Sequence, residues 1–269
     1  MTPQLRLAGR AVADYVLEPE VDPTNVPRPY LHPVRTLAGT VVTDALPADH
    51  EWHLGAGLAI ADVAGTNLWG GRSYVHGKGY VRLPDHGRIE HASWHQYTDS
   101  VLDHDLVWRD HDGAGLLAER RRITAEPGPT AESWTLTFAT TLTNLRSDPI
   151  EIRSPATNGR GDGAGYGGFF WRLPAVERMR VEARDPRTAD RARGEGFVNG
   201  SALPELDVRG EIGGRRVALT FAGPQYADRW FVRVAEYPAV GVSFAHRHPL
   251  PLAPGAELAR TFTVTVADD

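Results

Sequence analysis

From residue 89 onward, apolar and polar residues alternate in short runs. In Trp134-Thr135-Leu136-Thr137-Phe138 the even positions are large and apolar and the odd ones are threonines, and Leu142 keeps the even register. A period of two sends one set of side chains into a core and the other to the opposite face of a strand. Residues 89–98, 101–109, 115–125, 132–145 and 150–154 therefore read as successive antiparallel strands, with Asp110-His111-Asp112-Gly113 as a hairpin turn. The pattern resumes at 215–222, 230–235, 240–245 and 258–266. Nearer the N-terminus, 5–7 and 11–17 flank Gly9-Arg10, and 30–36 and 40–43 flank Ala38-Gly39 as a second hairpin. Residues 52–63 read as a further strand in which Gly55 and Gly57 mark a bulge or a close backbone approach. Pro19, Pro23, Pro27 and Pro29 keep their segment out of any central strand.

No stretch reads as a helix, and no repeat or low-complexity linker divides the chain. The predicted class is all-β: an antiparallel two-sheet β-sandwich or super-sandwich, as one domain over residues 1–269. Residues 182–200 are charged, glycine-containing and weakly patterned, which predicts a lid or a mobile insertion.

Composition narrows the chemistry. With 29 Lys plus Arg against 34 Asp plus Glu, the net charge of −5 offers no basic field for a phosphate backbone, so nucleic acid is not an expected partner. Lys78 is the only lysine, which leaves a Schiff-base mechanism little to rest on. The absence of cysteine excludes disulfides, thiolate nucleophiles and iron–sulfur clusters, so any metal would need His and carboxylate ligands. The opening residues lack a secretory pattern, and no run approaches the roughly 18 apolar residues of a membrane span. A cytoplasmic protein with no membrane partner is expected.

Asp49-His50-Glu51-Trp52-His53 packs two imidazoles, two carboxylates and an indole into five residues, and Asn67-Leu68-Trp69-Gly70-Gly71 returns another indole and an amide. Such groups are costly to bury and cluster at functional sites. His50 and His53 could be an acid/base pair with Asp49 or Glu51 orienting one ring, or two ligands of a divalent metal completed by His32 or His76. In a strand they would point to opposite faces, so either role requires a turn or bulge; otherwise one is a surface and the other a core histidine. No cofactor is otherwise called for. Asn67 and Trp69 carry a sugar-type signature, an amide for paired hydroxyls and a flat apolar ring, although a core tryptophan beside a turn asparagine has the same spelling. His32 could line the same pocket.

The glycine-rich run at 157–168 lacks a Gly-Lys-Ser/Thr ending, so it is no nucleotide loop. It reads as backbone close to a ligand, presenting Asn158, Arg160, Asp162 and Tyr166. Arg233 and Glu236 near Trp230 are further candidates. Glu119 and Arg121 share a strand face and read as a structural ion pair across the sheet. Glu90, His91, Trp94 and His95 read as a solvated face.

The pieces Arg28-Pro-Tyr-Leu-His-Pro-Val, Asp49-His-Glu-Trp-His, Asn67-Leu-Trp-Gly-Gly, Glu119-Arg-Arg-Arg, Asn158-Gly-Arg, Gly165-Tyr-Gly-Gly-Phe-Phe-Trp-Arg and Trp230-Phe-Val-Arg occur in that order over nearly the whole chain. Together they resemble the bacterial domain family labelled "methane oxygenase PmoA", whose activity is unsettled. The resemblance implies a sandwich like that of galactose mutarotase and a place in carbohydrate catabolism. It does not imply methane oxidation, because that enzyme is a helical membrane assembly. The family commonly has Asp-His-Pro-His-His where this chain has Glu51-Trp52 in the middle, one imidazole fewer.

The expected function is a carbohydrate-active enzyme taking a small-molecule sugar or keto-sugar through epimerisation, elimination or hydrolysis. His50, His53 and Glu51 are the expected catalytic groups. His32, Asn67, Trp69, Asn158, Arg160, Tyr166 and Arg233 are the expected binding groups. A metal-dependent hydrolase or oxygenase and a non-catalytic sugar-binding sandwich are the rivals.

Overall fold

A computed structural model describes residues 2–161 and 163–269, which leaves Asp162 outside the described residues. Among the described residues, antiparallel pairing builds two large sheets and a separate hairpin. One sheet runs in the order Arg191–Arg193, Glu177–Arg184, Glu205–Ile212, Arg215–Ala222, Glu257–Asp268, Ser133–Asn144, Gly115–Pro127, Val101–Arg109, Arg88–Tyr97. The other runs Gln4–Leu7, Arg10–Val16, Tyr30–Val34, Ala56–Val63, Gly168–Arg172, Ala239–Ser243, Arg229–Arg233, with Thr66–Leu68 and Ile150–Arg153 branching from Ala56–Val63. The predicted antiparallel sandwich is the fold.

The alternation read from the sequence builds the interface. Trp134, Leu136 and Phe138 face inward and pair with Val266, Val264 and Phe262 of the neighbouring strand. From the facing sheet, Phe169 stacks on Phe262 at 4.9 Å and Trp171 meets Phe221 edge-on at 5.5 Å. Each such ring removed from water contributes about 1.5–3 kcal/mol.

One charged group crosses this interior. Arg121 and Glu119 have fully buried side chains, joined by Nε to Oε1 at 2.7 Å and Nη2 to Oε2 at 2.8 Å. Glu119 also accepts from Trp108 and Thr140, while Arg121 donates to the Tyr15 hydroxyl and the Pro29 carbonyl on the facing sheet. Every arm of both groups is partnered, which is the condition for a buried ion pair to be tolerated. The expected ion pair is present, within one strand rather than across strands.

Four other expectations change. Residues 40–43 form only an isolated bridge, Val41 to Arg35. The strand predicted over 52–63 starts at Ala56, because 49–53 is a turn. Residues 182–200, weakly patterned in the sequence, carry regular structure: Glu177–Arg184 and Arg191–Arg193 pair at the sheet edge, and a one-turn helix, Glu195–Val198, follows. Glu195 pins that turn by accepting from the backbone N–H groups of Val234 and Ala235. Finally, His91 and Trp94 are not solvated bystanders. They cover a fully buried His104, with His91 Nδ1 at 3.0 Å from its Nδ1 and the Trp94 ring stacked at 4.8 Å.

Candidate functional site

The pleat of the second sheet gives it two apolar faces. Leu58 and Ile60, Phe169 and Trp171, and Trp230 and Val232 point into the sandwich core. Their alternates Ala59, Phe170 and Phe231, with Ala239 and Trp69, form a second apolar cluster on the outer face. Trp69 and Phe231 of this cluster line a hollow over the outer face, a cavity of about 540 Å³. Its volume is in the range of small-molecule sites, about 300–1,000 Å³.

His50 and His53 enter this cavity together because of a local turn. The His53 N–H donates to the His50 carbonyl at 2.9 Å, and the His50 N–H to the Pro47 carbonyl at 2.9 Å. Arg28, itself buried, clamps the turn by donating to the Trp52 carbonyl at 2.8 Å. Two side chains that a strand would have separated therefore stack, with ring centroids 4.7 Å apart and planes 15° apart. Tyr237 packs against both rings, 4.6 Å from His50 and 5.2 Å from His53.

The two imidazoles have different chemistry. His50 Nδ1 lies 2.8 Å from Asp49 Oδ2. A carboxylate only accepts, so Nδ1 carries the proton and the bare, basic nitrogen of neutral His50 is Nε2. Burial opposes ionisation of Asp49, but the His50 hydrogen bond and the Arg172 and His50 charges outweigh it and hold the carboxyl below its usual range. His53 is 1% exposed, and its Nδ1 has no protein partner. Burial first, then the positive fields of His50, Arg172 and Arg28, push its pKa down to about 2. It is a neutral ring at any ordinary pH and does not shuttle protons near neutrality.

Glycines make room for the wall opposite. Gly70 and Gly71 adopt φ of +110° and +71°. A Cβ on Gly70 would lie 2.6 Å from Trp52 Cβ, and one on Gly71 2.7 Å from the Trp52 ring. The indole thus rests directly on backbone, which only glycine permits. Asn67 sets this turn: its Oδ1 accepts from the N–H groups of Trp69 and Gly70 at 2.9 and 2.8 Å.

The polar wall comes from the separate hairpin and the glycine-rich loop. Tyr80, on strand Gly79–Val81, lies 2.9 Å from the Tyr166 hydroxyl, and Arg160 donates to Tyr80 with its guanidinium over the same ring at 4.7 Å. Burial and the neighbouring Tyr80 raise the Tyr166 pKa well above the ordinary phenol value, and burial pushes Tyr237 up to about 12. Both phenols stay neutral donors.

Of the residues expected at the site, His50, Glu51, His53, Trp69, Arg160, Tyr166 and Arg233 line this one cavity. Three do not. His32 points elsewhere, its Nδ1 held 3.0 Å from Thr43 Oγ1. Asn67 spends its amide on the turn and on Ser73, and Asn158 spends its own on Asp62 at 2.8 Å; both line a smaller adjoining cavity. Trp69 is floor rather than platform, being 5% exposed and enclosed by His53, Tyr166 and Phe170. Sequence reasoning missed Tyr80, His86 and Tyr237 as cavity residues.

A metal held by both histidines does not fit. An imidazole ligand binds in its own plane, and two nearly parallel, stacked rings have no common in-plane point. Among the described residues, no group of three or more His, Cys, Asp or Glu is placed to hold a metal ion. No helix among them is long and apolar enough to cross a membrane.

Comparison with known proteins adds little chemistry. No curated protein matches the chain. Among solved structures, it is similar to the galactosidase domain of an alpha-galactosidase–sucrose kinase, at a TM-score of 0.34 and 8% identity, over 85% of this chain and 31% of that one. At that distance the likeness says nothing of activity. Over residues 2–269 the match is to a family of unknown function, DUF6807, and the chain belongs to that family.

Proposed function

We propose that the cavity is the active site of an enzyme acting on a small sugar or keto-sugar, with His50 as general base. The observation that carries this reading is the Asp49–His50 pair on the wall of an otherwise aromatic and arginine-bearing hollow. Asp49 fixes the tautomer, so Nε2 is the basic atom of a ring that lines the cavity. Such a base takes a proton from the carbon beside a carbonyl. The C–H electron pair becomes an enolate, and the Arg160 guanidinium offsets the charge on its oxygen. Reprotonation on the opposite face gives an epimer, and loss of a β-substituent gives elimination. The same base acting on water would serve hydrolysis. Trp52, Tyr237 and Phe231 meet apolar C–H faces of the ligand, and Tyr80, Tyr166 and Arg233 meet its hydroxyls. His53 keeps His50 stacked in place as a neutral ring. Protonated His50 can return the proton on its own face or pass it to a leaving group, and on the opposite face solvent water supplies it at the exposed rim beside Glu51 and Glu236. The chain would do this as one domain in the cytoplasm, and nothing in the reading draws on the methane-oxygenase label.

Calorimetry with glucose, galactose and their keto-glycosides, followed by turnover of whichever binds, tests the reading. His50→Ala is expected to lose about 10²–10⁴-fold of turnover with binding largely retained. Unchanged turnover in that variant rejects His50 as base. Tight binding with no turnover of any sugar favours a non-catalytic sugar-binding sandwich.

A further inference from the structure

The cavity is positive in a protein that is negative overall. Arg72, Arg82, Arg160 and Arg233 line it against Glu51 and Glu236, while the whole chain carries a net −5. Arg233 lies 3.7 Å from Glu195 and so is part-neutralised. Arg72, Arg82 and Arg160 make no salt bridge among the described residues, Arg82 only sensing the charge of Asp22 from further off, in a chain where many other arginines are ion-paired.

Two of these cations are set against each other. Strands Ser73–Val75 and Gly79–Val81 form their own two-stranded sheet with Ser73 opposite Val81. Arg72 precedes the first and Arg82 follows the second, so the register, continued one residue past the paired strands, brings them to the same open end of the hairpin. Like charges directly opposite are destabilising. Both side chains belong to exposed residues at the cavity wall, where nothing in the fold requires a positive pair. An anion between them would turn the repulsion into a two-sided clamp, because each guanidinium offers a planar fork to a carboxylate or phosphate.

We infer that the ligand of this cavity is a sugar bearing an anionic substituent, held by Arg72 and Arg82. This rests on the sugar reading of the same cavity and adds the charge of the substrate to it. A carboxylate, as in a sugar acid, and a phosphate ester share the required chemistry.

The test is calorimetric titration of the full chain with glucose, glucuronate, glucose 6-phosphate and inorganic phosphate. At least one acidic sugar is expected to bind about ten-fold or more tightly than glucose, the value of a charge-assisted hydrogen bond. The advantage should shrink between about 0.01 M and 1 M ionic strength, where screening shortens from about 30 Å to 3 Å. Glucuronate against glucose 6-phosphate tells a carboxylate from a phosphate. The double variant R72Q/R82Q, at two exposed positions, should bring the acidic sugar down to glucose with glucose affinity unchanged. Equal binding of glucose and both acidic sugars, or an unaffected double variant, overturns the inference and leaves the sugar reading standing. Binding of inorganic phosphate but of no sugar removes the sugar reading and keeps only an anion site. No binding of any probe overturns the inference outright.

Discussion

His53→Phe isolates the buried imidazole and converts its environment into a measurable pH dependence. Phenylalanine fills the space between His50, Phe170 and Trp69 with a ring of the same kind and removes an Nδ1 that has no protein partner. The folded-state pKa of His53 is depressed to about 2 from an ordinary 6.5. The sign follows: below the ordinary value the unfolded chain takes up a proton that the folded protein refuses. Stability is therefore complete above about pH 6.5 and drains away as pH falls towards 2. Going from about pH 7.5 to pH 5 crosses roughly 1.5 units of that window, worth about 2 kcal/mol at 1.36 kcal/mol per unit. Urea unfolding of parent and variant at both pH values, read by tryptophan fluorescence, gives the difference of differences. His104, also pushed down to about 2 by burial, and the carboxylates are present in both proteins and cancel. The variant should gain about 2 kcal/mol on the parent between neutral and acid pH. A stability gap that is the same at both pH values would refute the claim that His53 is held neutral.

Three further outcomes are expected. Gly71→Ala places a methyl against the Trp52 ring at a positive φ, and should cost about 1–3 kcal/mol in a denaturation curve; an unchanged midpoint contradicts the packing described. Glu119→Gln leaves the fully buried Arg121 without its counter-charge and should cost about 3–5 kcal/mol by the same measurement, a loss below about 1 kcal/mol counting against it. Treatment with a chelator should leave Tm unchanged, because the stacked His50 and His53 rings share no coordination point; a lower Tm on chelation would contradict that geometry.

The sandwich was legible because half-buried strands write a period of two into the sequence, as at Trp134, Leu136 and Phe138. Gly168–Arg172 hides that period. Phe169 and Trp171 face the core while Phe170 joins the second apolar cluster on the outer face, so both faces are apolar and the run reads as featureless hydrophobicity. The five residues from Asp49 suggest a site because such groups are costly to bury, yet only His53 is buried, and their geometry is not legible in the sequence. Only the paired turns, clamped from Arg28, bring the two rings to one side. Asn67 has the spelling of either a ligand amide or a turn asparagine, and the turn claims its oxygen. Tyr80 comes from the hairpin, His86 from an isolated bridge to Asn67 soon after it, and Tyr237 from the distant bend between Arg229–Arg233 and Ala239–Ser243. No local pattern marks them, because their role exists only after the sheet has formed. The positive pair at Arg72 and Arg82 needed the hairpin register, which the short runs around Gly77 and Gly79 leave open.

The most direct measurement is solvent deuterium exchange at the carbon beside the carbonyl of a methyl keto-hexopyranoside, followed by proton NMR with the full chain in D₂O. Proton removal by His50, oriented by Asp49, predicts exchange with the native protein, near-native exchange with His53→Phe, and loss of about 10²-fold or more with His50→Ala. Exchange that survives in His50→Ala but vanishes in His53→Phe would reverse the assignment of the two rings and contradict the account.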